Sequence, residues 1–132
     1  MPVEISTFHL PCGARCVRMD CVGDVDKADA DQIMKQVDLG GPLHGLPTLG
    51  LTQRMRSLSA DARGVFGRRS DGGAKESWRA VVVTSPLARV ASNFLMRVYR
   101  LKKHRLFAKE ADAVSWLDER VREEAGGGTA AP

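Results

Sequence analysis

Residues 78–86 read Trp-Arg-Ala-Val-Val-Val-Thr-Ser-Pro, and this stretch predicts a strand that runs directly into a helix. Residues 80–83 form an unbroken apolar run rich in β-branched side chains, which is typical of a strand covered on both faces of a sheet. Ser85 suits a helix N-cap, and Pro86 suits the first helical position, where its missing N–H costs nothing. Apolar residues then recur at three- and four-residue spacing as far as Leu101. We therefore expect a central strand followed by a long amphipathic helix.

The N-terminal segment alternates between apolar and polar residues in two runs, 3–10 and 16–22, on either side of Pro-Cys-Gly at 11–13. Such a pattern predicts an antiparallel hairpin with one buried face. Alternation along the second run places Cys16 and Cys21 on opposite faces of one strand. Two further strands are predicted over residues 46–52 and 104–108.

The first of these two strands contains Pro47, which cannot donate a ladder hydrogen bond, and Gly50, which packs nothing. We expect it near an edge of the sheet, or as a short irregular strand. Three more helices complete the pattern, and Asp26, with Asp29 three residues later, is expected to cap the first. The three ranges are residues 26–37, a helix that begins at Ser57 or Ser59, and residues 110–124.

The element order is therefore β-β-α-β-α-β-α-β-α, which predicts an α/β fold with a mixed sheet of about five strands and helices packed on it. Right-handed crossovers should make the later strands parallel, with the hairpin supplying an antiparallel edge. We expect one domain over residues 1–124 and a disordered, Gly-rich tail over residues 125–132.

Composition narrows the functional classes. The chain has 132 residues, 43% of them hydrophobic and 27% charged, and a formal net charge of +4. No apolar segment approaches the roughly 20 residues that span a bilayer, and no secretory leader is apparent, so a cytoplasmic protein is expected. The modest charge, without a recognisable reading helix or aromatic platform, does not favour nucleic acid as a partner.

Five short segments carry a family resemblance. They are Gly-Asp-Val-Asp at 23–26, Trp-Arg-Ala-Val-Val-Val at 78–83, Asn-Phe at 93–94, Arg-Leu-Phe at 105–107 and Ala-Val-Ser-Trp-Leu at 113–117. Together with the element order, they resemble the SpoIIAA-like family of the STAS fold over residues 8–121. The resemblance implies a mixed sheet with helices on one face.

The resemblance also implies two different roles. STAS anti-sigma-factor antagonists bind a partner-switching kinase and are controlled by phosphorylation of a serine at the start of the second helix. The matching region here offers Ser57 and Ser59, but the acid before the serine and the glycine after it are absent, and either serine could simply cap the helix. The SpoIIAA-like branch instead resembles lipid-carrying CRAL-TRIO folds, which implies small hydrophobic ligands or membrane association.

A run of basic residues at the end of the long helix is a candidate contact for an anionic membrane surface or an acidic partner. It comprises Arg97, Arg100, Lys102, Lys103 and Arg105. A solvated helix C-terminus, where the helix dipole favours cations, explains the same run without any partner.

The residues offer no catalytic set and no cofactor or metal site. Cys12, Cys16 and Cys21, with His9 and His44, have the residue types of a zinc site but not its spacing. Neither a Gly-x-Ser-x-Gly elbow nor a P-loop is present. We predict a non-enzymatic protein-interaction module in a regulatory assembly, with a homodimer left open; the alternative is a carrier or sensor of a small apolar ligand with peripheral membrane association.

Overall fold

The computed structural model describes residues 3–37, 43, 45–71, 78–86, 89–90, 93, 97 and 103–129. The strands are β1 (Val3–His9), β2 (Arg15–Val25), β3 (Thr48–Leu58), β4 (Arg79–Val82) and β5 (His104–Phe107). The helices whose bounds are described are α1 (Lys27–Val37), α2 (Ala60–Asp71) and α3 (Glu110–Thr129). None of the described helices is both long enough and apolar enough to cross a membrane.

The five strands form one mixed sheet in the order β1-β2-β3-β4-β5. β1 and β2 pair antiparallel, whereas β2, β3, β4 and β5 are parallel to one another. This arrangement confirms the predicted α/β class and the antiparallel edge. At the turn of the hairpin, Gly13 has a φ of 94° and its N–H donates to the Leu10 carbonyl oxygen at 2.7 Å. A residue with a Cβ would be strained in that backbone conformation.

β3 lies in the middle of the sheet and has 11 residues, so the edge position and the short length predicted over residues 46–52 are wrong, although its pairing with β2 is irregular. Pro47 precedes the strand and needs no donor there, and its carbonyl oxygen accepts from the Val17 N–H at 2.8 Å. Gly50 pairs with Met19 on one side and Val81 on the other. The strand then continues to Leu58, because it is paired with β2 throughout.

β4 is an interior strand, as predicted, but the central position belongs to β3. Ala80 and Val82 are fully buried on one face of β4, whereas Val81 on the other face is half-buried. Pro86 is helical, and the Arg89 N–H donates to the Ser85 carbonyl oxygen at 3.0 Å, which confirms that a helix begins at the predicted cap. Most of the remaining run to Leu101 lies outside the described residues.

Two apolar cores lie on opposite faces of the sheet, which corrects the expectation of helices on one face. Alternation along β2 directs Val17 to one face and Cys16 to the other, and both are fully buried. Val17 belongs to a core that α1 and α2 cover, together with Cys21, Val25, Ala30, Ile33, Met34, Ala62 and Val65. Cys16 belongs to a core that α3 covers, together with Leu49, Leu51, Ala80, Val82, Ala113 and Leu117.

The helix ends test the predicted caps. The Asp29 N–H donates to Asp26 Oδ1 at 2.9 Å, and the Asp26 N–H donates to Asp29 Oδ2 at 3.0 Å, so the predicted reciprocal cap of α1 is confirmed. The helix α2 begins at Ala60, directly after Ser59, and runs to Asp71. The helix α3 continues to Thr129, past the expected end at Glu124 and into the first five residues of the expected tail.

Candidate partner-binding site

A polar cluster lies where β2 and β3 end together. Both nitrogens of the Arg56 guanidinium fork bond the Asp24 carboxylate, with Nε to Oδ1 at 3.0 Å and Nη2 to Oδ2 at 2.5 Å. The Ser57 hydroxyl donates to the same Oδ1 at 2.6 Å. Asp24, Arg56 and Ser57 are all exposed, so the cluster stands at the protein surface. We call these three residues the polar end cluster.

Two β-bulges put these side chains together. The pairing of β3 with β2 shifts once between Asp20 and Val22 and again between Gly23 and Asp24, each time by one extra residue on β3. Arg56 is the extra residue of the second shift, which brings Ser57 opposite Asp24. Bulges bend a strand and re-aim its side chains, and they are common next to functional sites.

Charge at this end of the sheet is mixed and paired. The hydrogen bonds from Arg56 and then from Ser57 lower the pKa of Asp24 to about 2, and the Asp24 carboxylate in turn raises the pKa of Arg56. Two residues earlier on β3, Arg54 Nη2 lies 3.2 Å from Asp20 Oδ2 and 3.7 Å from Glu4 Oε2. The exposed surface at this end of the sheet therefore presents guanidinium groups held in place by carboxylates.

The two candidate phosphorylation sites, Ser57 and Ser59, occupy different elements. Ser59 is the N-cap of α2: its Oγ accepts from the Ala62 N–H at 3.1 Å, while its own N–H donates to the Val25 carbonyl oxygen at 3.0 Å. Ser57 lies in β3, so of the two serines predicted as alternative helix starts, Ser59 is the one that caps α2. Both serines are exposed.

The structure describes the basic run only in part. Arg97 is exposed in a helical segment, whereas Arg100 and Lys102 lie outside the described residues. The Lys103 ammonium lies 4.9 Å from the centre of the Trp78 ring, and the Arg105 guanidinium lies 5.3 Å from the centre of the Phe107 ring. Two of the predicted contact residues thus rest on aromatic rings of this chain.

The cysteines are separated as alternation predicts. Cys16 and Cys21 lie in the two opposite cores, and burial raises the pKa of Cys16 to about 12 and that of Cys21 to about 11. Cys12 is exposed in the hairpin turn, where its backbone N–H donates to Asp118 Oδ1 at 2.8 Å. His44 lies outside the described residues, and no group of three metal-ligating side chains occurs among the residues that are described.

A groove of about 730 Å³ lies between β1 and α1. Eight residues line it: Val3, Glu4, Ile5, Asp29, Gln32, Ile33, Lys35 and Gln36. Val3, Ile5 and Ile33 give it an apolar part, and polar residues of α1 surround that part. No local pattern predicts the groove, because its two walls belong to separate elements of the chain.

Comparisons with known proteins identify solved structures that have a similar fold. No protein-family model matches the chain, and no curated protein sequence matches it. A solved structure of an uncharacterized DUF3478-family protein from Shewanella loihica PV-4, described as having a SpoIIAA-like fold, superposes with a TM-score of 0.66 at 18% identity, covering 87% of this chain and 93% of that one. This chain has a SpoIIAA-like fold.

A second solved structure supports the same assignment. It is the anti-sigma factor antagonist SpoIIAA in its unphosphorylated form, with a TM-score of 0.58 at 16% identity over 91% of this chain and 97% of that one. Within the SpoIIAA-like fold, an aromatic cluster that the sequence analysis missed ties α3 to the strands. Trp116 packs edge-on against Trp78 and beside Phe107, each at 5.7 Å between ring centres, and Trp78 Nε1 donates to Glu124.

Proposed function

We propose that this chain is a non-enzymatic protein-interaction module of a regulatory assembly, and that it binds its partner through the polar end cluster and the adjoining start of α2. The observation that carries the proposal is the bidentate pairing of Arg56 with Asp24 on an exposed surface beside the α2 cap. Charged groups that are already oriented lose little freedom on binding and favour specific protein partners. The SpoIIAA-like fold, which an anti-sigma factor antagonist shares, supports this role.

The titratable groups support a role without catalysis. Burial raises the pKa of the Cys16 and Cys21 thiols, so neither readily forms the thiolate that nucleophilic chemistry needs. Burial, with the nearby Arg79 charge, lowers the pKa of His104 to about 3, far below the range of a useful general base.

Phosphorylation is part of the proposal. A phosphate on Ser59 would replace the capping oxygen at the positive end of α2, and one on Ser57 would meet Arg56 but also the Asp24 carboxylate. Modification of Ser59 is therefore the more compatible with the existing charges, and modification of Ser57 would rearrange the polar end cluster. Phosphoproteomic analysis of protein purified from its native cells distinguishes the two sites.

The test is affinity capture from native cell extract with matched charge variants. Replacing Arg54 and Arg56 with Glu reverses the charge of this surface, and we expect the specific partner to be lost. Replacing Arg89 and Lys109 with Glu makes the same charge change at two other exposed positions and should leave capture intact. Equal capture by both double variants would contradict the proposed surface.

The alternative function, carriage or sensing of a small apolar ligand with peripheral membrane association, depends on Arg97, Arg100, Lys102, Lys103 and Arg105 as the membrane contact. The exposed side chains of Arg97 and Arg105 are the feature that favours it. Native mass spectrometry should then find co-purifying lipid, and replacing Arg100, Lys102 and Lys103 with Glu should abolish sedimentation with anionic vesicles. Unchanged sedimentation, with no lipid retained, removes this alternative.

A further inference from the structure

The two edges of the sheet are protected unequally. β5 has only four residues, carries the exposed Arg105 and follows Lys103, and short strands and cations are devices that block edge pairing. β1 has seven residues with no proline, lysine or arginine, and its register with β2 is continuous and free of bulges. Its one charged residue is Glu4. The β1 edge therefore keeps the properties of a strand that accepts another strand.

We propose that β1 pairs antiparallel with β1 of a second copy of this chain, about a two-fold axis at Ser6. The two sheets would join into one continuous ten-stranded sheet, and the protein would be a homodimer. This inference stands on β1 and its surroundings, and it does not depend on the proposed partner surface at the ends of β2 and β3.

The sequence of β1 is compatible with itself in this register. With Ser6 opposite Ser6 of the second copy, Ile5 faces Thr7, Glu4 faces Phe8 and Val3 faces His9, so all seven residues are paired and no like charges oppose. An axis at Glu4 would instead place two carboxylates opposite each other and pair only residues 3–5. Directly opposed like charges destabilise a strand pair, which excludes the axis at Glu4, and only the axis at Ser6 pairs all seven residues of β1.

The groove beside β1 would be partly covered in this register. Val3 and Ile5 line the groove, and in the proposed pair they would lie beside His9 and Thr7 of the second copy. The Glu4 side chain points to the other face of the sheet, where its carboxylate lies 3.7 Å from Arg54 Nη2. On the groove side, the half-buried Ile5 would be covered by the second copy.

The experiment is sedimentation equilibrium of the wild-type protein and of Ser6→Lys and Ser6→Glu. In each variant, the exposed residue 6 faces the same charge on residue 6 of the second copy. We therefore expect the dimer dissociation constant to rise roughly tenfold or more. An equal mixture of the two variants should dimerise again, because Lys then faces Glu. Ser115→Lys, the same substitution at an exposed position of α3, should behave as wild type.

Hydrogen exchange gives an independent measurement on unmodified protein. Exchange of the β1 amides should slow as protein concentration rises, while the β5 amides should not respond. A wild-type protein that stays monomeric from micromolar to millimolar concentration overturns the proposal. So does a Ser6→Lys variant, shown by circular dichroism to be folded, that dimerises as tightly as wild type.

Discussion

Each of the three cysteines has its own environment, which determines its reactivity. Cys12 is exposed at the hairpin turn, whereas Cys16 is fully buried and Cys21 is 8% exposed. Burial raises the pKa of both buried thiols, so neither forms a thiolate near neutral pH. The thiols are thus separated by the sheet itself as well as by solvent access.

We therefore expect one fast-reacting thiol in the native protein and three after denaturation. A maleimide reagent followed by intact mass measurement counts the modified thiols at each time. The Cys12→Ala variant is the control and should show no fast reaction while folded. Rapid modification of Cys16 or Cys21 in native buffer would contradict the burial described here.

His104 is half-buried next to Arg79 on the neighbouring strand, and this position has a consequence for pH. Its folded pKa of about 3 lies well below the ordinary value near 6.5, because burial and the Arg79 charge disfavour the imidazolium form. The unfolded chain therefore binds the proton more tightly than the folded chain. Stability is fully present above pH 6.5 and is lost as pH falls toward 3.

This predicts that the free energy of unfolding falls between pH 6.5 and pH 4, by up to about 1.4 kcal/mol per pH unit. Carboxylates whose pKa is lowered, such as Asp24, change the free energy of unfolding only below this pH range. Urea unfolding at several pH values measures this dependence. The free energy of unfolding should fall less steeply with decreasing pH for His104→Gln than for wild type, and the exposed His9→Gln is the control. Identical slopes for all three proteins would contradict the prediction.

At the scale of elements, the start of α2 separates two serines that look alike in sequence. Ser59 satisfies the Ala62 N–H at the helix end, whereas Ser57 bonds Asp24 on an exposed strand. Only the first interaction satisfies a helix donor that has no partner within the helix.

Ser59→Ala should therefore destabilise the fold by about 1 kcal/mol, the usual loss for an N-cap, and lower the melting temperature by roughly 3–5 °C. Ser57→Ala is the matched control and should change the melting temperature by less than half as much. Thermal unfolding followed by circular dichroism measures both. Equal effects of the two substitutions would show that the cap does not stabilise α2.

Local patterns predict the elements of this fold better than their extents. The capping box at Asp26 and Asp29 and the alternation of β2 depend on neighbours in sequence, and both are observed. The length of β3 depends on pairing with β2, a strand more than twenty residues earlier. The polar end cluster could not be predicted, since the bulges that create it are visible only in the pairing of two strands.

At the scale of the whole molecule, the sheet separates two cores. Ile33 of α1 packs into the core on one face and Leu117 of α3 into the core on the other, and each is at most 2% exposed. Residues that are far apart and share no neighbours contribute to stability additively. The two helices should therefore be coupled through the cooperative unfolding of the sheet and not by direct contact.

We expect Ile33→Val to cost about 0.5–1.5 kcal/mol and Leu117→Ala about 2–5 kcal/mol of unfolding free energy. The double variant should show the sum of the two losses within about 0.5 kcal/mol. Urea unfolding of the four proteins completes the cycle. A larger coupling energy would mean that the two cores are in contact, which the described sheet does not allow.

The α/β class, the antiparallel hairpin, the parallel later strands and the cap of α1 could be predicted, because they follow from side-chain periodicity and from hydrogen bonds between near neighbours. That β3 is the middle strand, that helices cover both faces, and that Asp24, Arg56 and Ser57 meet is visible only in the folded chain. Strand order and bulges are set by backbone pairing between distant segments, and no local pattern records which segment will be the neighbour.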